Sequence, residues 1–400
     1  MSWGLVKLKD CCKVVGGATP KREVKEYWDK CDYPWVTPKD VSKISSPVLE
    51  DAPEYISTKG FEACATFLLP KGSVLFTSRA PIGNVAIAGR AMCTNQGFKS
   101  LIPGDSVDGL YLYYCMSAHA EKIEALGNGA TFKEVSKKTV EDFSIPLPYP
   151  DDPEKSLKEQ KRIAAILDKA DGIRRKRQQA IQLADDFLRS VFLDMFGDPV
   201  TNPKGIKTIE VVNLSLRVTK GESPKWQGFG YQDEGVRFVT SENVLWGKLD
   251  ERRKYIHPDF HRKLNRSALK PRDLLVNLVG ASVGRACLYP DNGELANINQ
   301  AVAVTTFDDK KIYPEFALVQ ILLPSVQRQL LGNVVDAARA NISLTNIRDI
   351  ELLAPSLNDQ RHFISVFTDF EKHLLKNEIS SEDGERLFNS LSQKAFKGEL

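Results

Sequence analysis

The chain contains residue types that could make or break bonds, but their spacing withholds the chemistry. Pro150-Asp151 followed by Glu159-Gln160-Lys161 has the acid–acid–lysine succession of a Mg²⁺-dependent nuclease. Such a centre needs carboxylates converging on one cation. Here Glu159 stands three residues after Ser156, the spacing of a capping box in which hydroxyl and carboxylate satisfy the open amides of a helix's first turn. The same start recurs as Asp359-Gln360-Arg361 with no Pro-Asp nearby, so the structural reading prevails. Asn202-Pro203-Lys204 is the nearest approach to the Asn-Pro-Pro-aromatic motif of amino-methyltransferases, and it lacks the second Pro and the ring. Phe229-Gly230 has no supporting context, and no G-x-x-x-x-G-K-[ST] phosphate loop occurs, so ATP hydrolysis is not expected. His257 and His261 stand four apart, as two zinc ligands on one helix face would. Pro258 between them argues against a regular helix start before it, and no third ligand is evident. Neither a catalytic residue nor a metal site is expected, and the chain is read as not an enzyme.

Seven cysteines, an odd number with six in the first half and no C-x-x-C pair, read as free and mostly buried thiols. The chain of 400 residues favours two or three domains, and 42% hydrophobic residues are ordinary for a globular protein. No apolar run is long enough for a bilayer, and the first ten residues lack the pattern of a signal peptide, so a cytoplasmic protein is expected. The net charge is only +3, but the cations cluster. Arg252, Arg253, Lys254, Arg262, Lys263, Arg266, Lys270 and Arg272 fall together, and Arg174 to Arg177 form a second run. A run of this kind is by itself only a solvated face.

The elements that would position these groups are written twice. Ser156-Leu157-Lys158-Glu159-Gln160-Lys161 returns as Ser356-Leu357-Asn358-Asp359-Gln360-Arg361. Asp142 to Pro148 matches Asp349 to Pro355, Leu69 to Leu75 resembles Lys270 to Leu275, and Ala80 to Ala86 resembles Gly280 to Ala286. Thr94-Asn95-Gln96 resembles Ile298-Asn299-Gln300, and Val36 to Val41 resembles Val239 to Val244. The matches keep their order, which points to duplication of a whole domain plus a helix.

Each copy opens with a mixed pattern. Val74-Leu75-Phe76 and Val85 to Ala88, with Leu274-Leu275-Val276 and Ala286 to Tyr289, predict buried strands. Gly83 and Gly284 lie between them, where a turn needs permissive backbone angles. Tyr111 to Met116 and Phe316 to Leu322 predict short buried helices, giving an α+β class. Each copy closes with a long helix. The first is predicted from Ser156 to Phe196, stopped by Gly197-Asp198-Pro199 and spanning roughly 60 Å at about 1.5 Å per residue. Ile163, Ile166, Ala170, Ile173, Ala180, Ala184, Phe187 and Val191 follow steps of three and four, with Arg177 breaking the seam. The second runs from Ser356 to near Lys397 with Phe363, Val366, Phe370, Leu374, Leu387 and Leu391 as its stripe and a kink or break near Gly384. An antiparallel coiled coil of the two would put the domains at opposite ends of a rod and give the chain internal pseudo-two-fold symmetry. The predicted boundaries are 1–155 and 200–355 for the domains, and 156–199 and 356–400 for the helices.

This layout resembles the specificity subunit of type I restriction–modification systems over essentially the whole chain. The resemblance is carried by Trp3-Gly4-Leu5-Val6-Lys7-Leu8, Gly83 in Ala80 to Asn84, Ile145-Pro146-Leu147-Pro148 and Glu159-Gln160-Lys161-Arg162-Ile163. It implies two target-recognition domains, each reading half of a split, asymmetric double-stranded DNA sequence, with the helices as spacers. It also implies partner methyltransferase subunits, two by expectation, and ATP-dependent restriction subunits. S-adenosylmethionine, ATP and Mg²⁺ would then sit on the partners and no cofactor on this chain. Phosphate contacts call for Lys and Arg, and base reading for Arg, Asn, Gln and Lys on exposed loops. The candidates in the first domain are Lys21, Arg22, Lys39, Arg79, Asn84, Asn95, Gln96 and Lys133. Those in the second are Lys220, Lys225, Asn243, Arg262, Lys263, Arg285, Asn299 and Gln300. The recurrence of Asn95-Gln96 as Asn299-Gln300 equally fits a framework turn.

Overall fold

The duplication is visible strand by strand. The computed structural model describes residues 2–29, 32–79, 81–128, 133–332 and 341–400, apart from the side chains of 369–382. The chain divides into two compact units, Met1–Ala180 with Asn377–Leu400, and Ile181–Lys376. The divide falls inside both long helices, because half of each helix packs on the domain beside it.

In the first unit Trp3–Lys7 pairs antiparallel with Ser144–Pro148. A five-stranded sheet then runs in the order Cys12–Gly16, Lys99–Pro103, Val74–Phe76, Val85–Ala88, Val48–Leu49. A three-stranded sheet holds Glu54–Ile56, Tyr33–Val36 and Cys93–Thr94, the last two parallel. In the second unit Thr208–Glu210 pairs with Glu351–Leu353, and Ser215–Lys220, Val302–Phe307, Leu274–Asn277 and Ala286–Leu288 repeat the first four strands of the larger sheet. Tyr255–Ile256, Val236–Val239 and Ala296–Ile298 repeat the smaller sheet, again with a parallel pair, and Tyr231–Gln232 extends it. Val74, Leu75 and Phe76 are all buried, as are Leu274, Leu275 and Val276, so these short apolar runs are strands covered on both faces. Gly83 and Gly284 hold φ of 92° and 82° in the turn that follows each run, as their position predicts.

One duplicated side chain ties each domain to its helix. Gln160 is fully buried; its Oε1 accepts the Asp108 amide at 2.9 Å and its Nε2 donates to the Ser106 carbonyl at 3.0 Å. Gln360, equally buried, accepts the Tyr313 amide at 3.0 Å and donates to the carbonyls of Lys311 and Pro355. Asp108 and Tyr313 are the N-caps of Gly109–Ala118 and Pro314–Leu322, so the same glutamine clamps the same helix start in both copies.

The long helices differ from expectation in three respects. The central one begins at Pro153, one turn before Ser156, with the Asp152 carboxylate accepting the Lys155 amide at 3.1 Å. Proline tolerates the first helical position because its missing N–H would be unpaired there. Ser156 is buried and takes a bond from Gln160. The C-terminal helix, Leu357–Lys397, does begin behind Ser356, whose Oγ accepts the Asp359 amide at 3.2 Å. The second difference is the seam. Ile173 and Phe187 are exposed, whereas Ile163, Ala164, Leu167, Leu188, Phe192 and Phe196 are buried. A straight helix drifts from a seven-residue repeat, and its ends here pack chiefly on globular domains. Phe370 and Leu374 lie outside the described side chains. The third is Gly384. The helix continues through it, and the Arg177 guanidinium lies over it, 3.1 Å from where a Cβ would stand. The cation that interrupts one helix's apolar spacing thus meets the residue without a side chain on the other.

Within the first unit the helices run antiparallel: Arg162 donates to the Leu400 carbonyl, Arg174 pairs with Glu385, and Arg177 meets Gly384. Within the second, Phe192, Phe196, Phe316 and Phe363 form one aromatic cluster joining both helices to the domain core. No helix among the described residues is long and apolar enough to cross a membrane.

Candidate nucleic-acid interface

Three loops meet on the first head. The loop after Cys12–Gly16 is pressed onto the one after Cys93–Thr94. The Ala18 amide donates to the Thr94 carbonyl at 3.0 Å, Trp35 Nε1 donates to the Ala18 carbonyl at 3.0 Å, and the Thr19 hydroxyl donates to Gln96. Gly17 makes this approach possible, since a Cβ there would stand inside 3.0 Å of the Thr94 and Asn95 carbonyl oxygens. The third loop enters through Ser78, whose amide donates to the Gly97 carbonyl at 2.7 Å. Its own carbonyl accepts the Val135 amide at 2.9 Å, which sets Arg79 opposite Glu134. Arg79 Nε lies 2.9 Å from Glu134 Oε2, and Lys99 Nζ lies 3.3 Å from Oε1. Partial burial raises the Glu134 carboxyl, but the bonds from Arg79 and Lys99 outweigh it and hold the group below the usual carboxylate range.

The second head repeats this frame. A Cβ on Gly221 would stand inside 3.0 Å of the Ile298 and Asn299 carbonyls. The Asn299 amide donates to the Val239 carbonyl at 3.0 Å, as the Asn95 amide does to that of Val36. The Leu278 amide donates to the Ala301 carbonyl at 2.8 Å, and the Leu278 carbonyl accepts the Ile342 amide at 2.9 Å. Val279 and Asn341 thereby face each other as Arg79 and Glu134 do.

The candidate residues divide by environment. Lys21, Lys39, Lys220, Lys225 and Lys263 are exposed, and Lys133 and Arg285 half-buried; among the described residues none of these seven has a carboxylate partner. Arg22, Arg79 and Arg262 are exposed but paired, with Glu54, Glu134 and Asp259 respectively. Arg22 is the most constrained: its guanidinium lies 3.8 Å from the Trp28 ring centroid and grips Glu54 at 2.9 and 3.1 Å, which lowers the Glu54 carboxyl. Exposed ion pairs contribute little to stability, so they exchange readily for a phosphate. Asn95 and Asn299 accept the amides of Gly97 and Ala301 at 2.8 and 3.1 Å, which is the framework role their recurrence suggested. Gln96 is exposed beside Thr19, and Asn84 and Gln300 are half-buried.

Asn243 is a correction. It is 4% exposed; its Oδ1 accepts the Thr240 amide at 3.0 Å and its Nδ2 donates to the Arg252 carbonyl at 2.8 Å. Its counterpart Asp40 likewise accepts the Thr37 amide, so this position closes a turn in both copies. The long cationic run is also largely neutralised internally. Arg252 pairs with Asp250, Arg253 with Glu294, Lys254 with Glu242, Arg266 with Glu222, and Arg272 with Glu315 and Asp309.

The chemical alternatives find their groups engaged elsewhere. Glu159 forms two bonds to Arg162, at 2.7 and 2.9 Å. His257 caps the helix Pro258–Lys263 by accepting the Asp259 amide, and His261 Nδ1 lies 2.6 Å from Asn297 Oδ1, so the two rings serve separate partners. What sequence reading missed is the loop Gly17-Ala18-Thr19-Pro20-Lys21, repeated as Gly221-Glu222-Ser223-Pro224-Lys225. The signal was a Gly-x-Thr/Ser-Pro-Lys recurrence; Lys99, Glu134 and Asn341 carried none.

A duplicated α+β head that displays loop-borne cations and amides, with Glu54, Glu134 and Asp259 held in ion pairs, has the make-up of a recognition surface. Residues 2–183 match the family model of the type I restriction modification DNA specificity domain. The type I restriction enzyme MjaIX specificity subunit of Methanocaldococcus jannaschii is 26% identical over 416 residues, covering 100% of this chain and 93% of that protein. The EcoprrI specificity subunit of Escherichia coli is 24% identical over 365 residues, covering 89% and 84%. A crystal structure of a type I restriction–modification S subunit from M. genitalium shares the fold, with a TM-score of 0.56 at 14% identity over 99% of this chain and 96% of that one. Over its whole length the chain is similar to type I restriction–modification specificity subunits, the non-catalytic components that recognise the DNA target. Subunits of this family act in complexes with DNA and partner subunits.

Proposed function

We propose that this chain reads a bipartite, asymmetric double-stranded DNA target, one half with residues 1–155 and the other with residues 200–355. Residues 156–199 and 356–400 serve as the helical spacers. The reading rests on one observation: two heads share a hydrogen-bonded loop frame but carry unlike side chains on it, which is what two different half-sites require. In this reading the chain directs two methyltransferase subunits, which carry S-adenosylmethionine, and ATP- and Mg²⁺-dependent restriction subunits to the address it recognises. Lys21 and Lys225, at equivalent places in the shared loop, contact phosphates, as do Lys39, Lys220 and Lys263. Arg22, Arg79, Gln96, Arg262 and Gln300 lie at or beside the base edges. Lys133, Asn84 and Arg285 support the rims.

The test is selection of bound duplexes from a randomised pool by the full chain, alone and with its methyltransferase partners. A motif with two separated specified halves is expected, with affinity falling steeply as salt rises. Arg79→Ala then relaxes discrimination in one half only. Equal loss in both halves, or an unsplit motif, refutes the reading.

A further inference from the structure

The shared frame allows the heads to be compared position by position. Thr19 and Ser223, Lys21 and Lys225, and Gln96 and Gln300 occupy equivalent places with the same chemistry. Where Ser78 and Leu278 take part in equivalent backbone bonds, the next residues differ in kind. The first head sets Arg79 against Glu134, the cation 2.9 Å from the acid and both exposed enough to meet a ligand, at 47% and 36%. Lys99, behind them, steadies the carboxylate at 3.3 Å. The second head sets Val279, 39% exposed, against Asn341, also exposed. Ala303 stands where Lys99 does, each in the strand after the Asn-Gln turn. One pair is fully charged and the other carries no charge, on a common backbone.

These two pairs match the two kinds of base pair as seen from the major groove. A guanidinium donates twice to guanine O6 and N7, and a carboxylate accepts from cytosine N4. An aliphatic side chain packs on the thymine methyl, and an asparagine amide pairs twice with adenine N6 and N7. We propose that Arg79 and Glu134 read a G·C pair in one half-site, and that Val279 and Asn341 read an A·T pair at the equivalent place in the other. Lys99 is a positioning residue: it acts through Glu134. Of the like positions, Thr19 and Ser223 hold the frame and Lys21 and Lys225 the phosphates, and Gln96 and Gln300, being the same residue in both heads, do not tell one half-site from the other.

The inference rests on the bipartite reading, and one experiment separates the two. Duplexes are selected from a randomised pool by the full chain with its methyltransferase partners, for wild type and for Val279→Arg/Asn341→Glu. Wild type should require a G·C pair in one half and an A·T pair at the corresponding place in the other. The double variant should lose its A·T preference by about 5- to 150-fold, the range for one good bidentate contact, and favour G·C there. Its other half-site should not change. Arg79→Lys serves as the milder variant: it keeps the charge beside Glu134 but loses the planar fork. It should relax discrimination at one base pair of the first half without moving the unfolding midpoint. A wild-type chain that selects no split motif refutes the bipartite reading. A split motif that ignores both Arg79→Lys and the folded double variant overturns the assignment of these pairs alone.

Discussion

Gly17→Ala tests whether the loop frame is what makes a reading head. The added Cβ would stand inside 3.0 Å of three oxygens, the Thr94 and Asn95 carbonyls and the Thr94 hydroxyl. Two of these belong to the backbone and cannot rotate away. Overpacking of this kind costs about 1–3 kcal/mol. The Ala18–Thr94 bond at 3.0 Å spans the same contact; losing it adds about 0.5–1.5 kcal/mol. Loss of glycine's freedom in the unfolded chain offsets about 0.4–1 kcal/mol. The net destabilisation is then about 0.5–4 kcal/mol, or about 1–16 °C in the unfolding midpoint of a unit of about two hundred residues. Gly16 is the control. A Cβ there meets nothing within 4 Å, so Gly16→Ala should stay within about 0.5 kcal/mol of wild type. The assay is thermal unfolding, paired with binding to probes altered in each half-site. Gly17→Ala should lose discrimination in the first half and keep it in the second, and Gly221→Ala should do the reverse. A Gly17→Ala protein that melts with the Gly16→Ala control and discriminates both halves as wild type would refute the argument.

Gln160→Leu should destabilise the first unit by about 2–4 kcal/mol in urea unfolding, because it strands the partly buried Asp108 amide and Ser106 carbonyl together; a cost below about 1 kcal/mol would show that water replaces the clamp. Phe192→Ala, at a fully buried ring packed on Phe196, Phe316 and Phe363, should cost about 3–5 kcal/mol, and a smaller loss would mean the second unit's core collapses onto the cavity. His119 gives a pH signature. Desolvation lowers its pKa from the ordinary 6.5, with only partial relief from the Cys115 carbonyl. The unfolded chain therefore takes up the proton first as pH falls, and stability is full above about 6.5 and declines below it. Stability measured from neutral to mildly acidic pH should fall less steeply in His119→Phe than in wild type, and identical slopes would reject this role.

Local pattern and repetition made much of the protein legible from sequence. The runs Val74-Leu75-Phe76 and Leu274-Leu275-Val276 are apolar throughout because strands covered on both faces have no polar side, and they form as read. Gly83 and Gly284 marked turns because only glycine takes their positive φ without cost. The recurrence of Gln160 as Gln360 announced the duplication, and burial explains why the residue type recurs. The tertiary structure decided three further matters. It chose which face of the central helix is buried, because the heads packed against its ends outweigh the heptad spacing; Leu167 and Phe192 went inside and Ile173 and Phe187 stayed out. It decided which polar residues are frame and which are rim. Asn243 and Lys263 look alike in sequence, but one closes a turn with both ends of its amide bonded and the other stands in solvent. It also brought Arg79 to Glu134 and Val279 to Asn341, across more than fifty positions of chain. No local pattern encodes such a meeting; only the fold that closes the loop between them does.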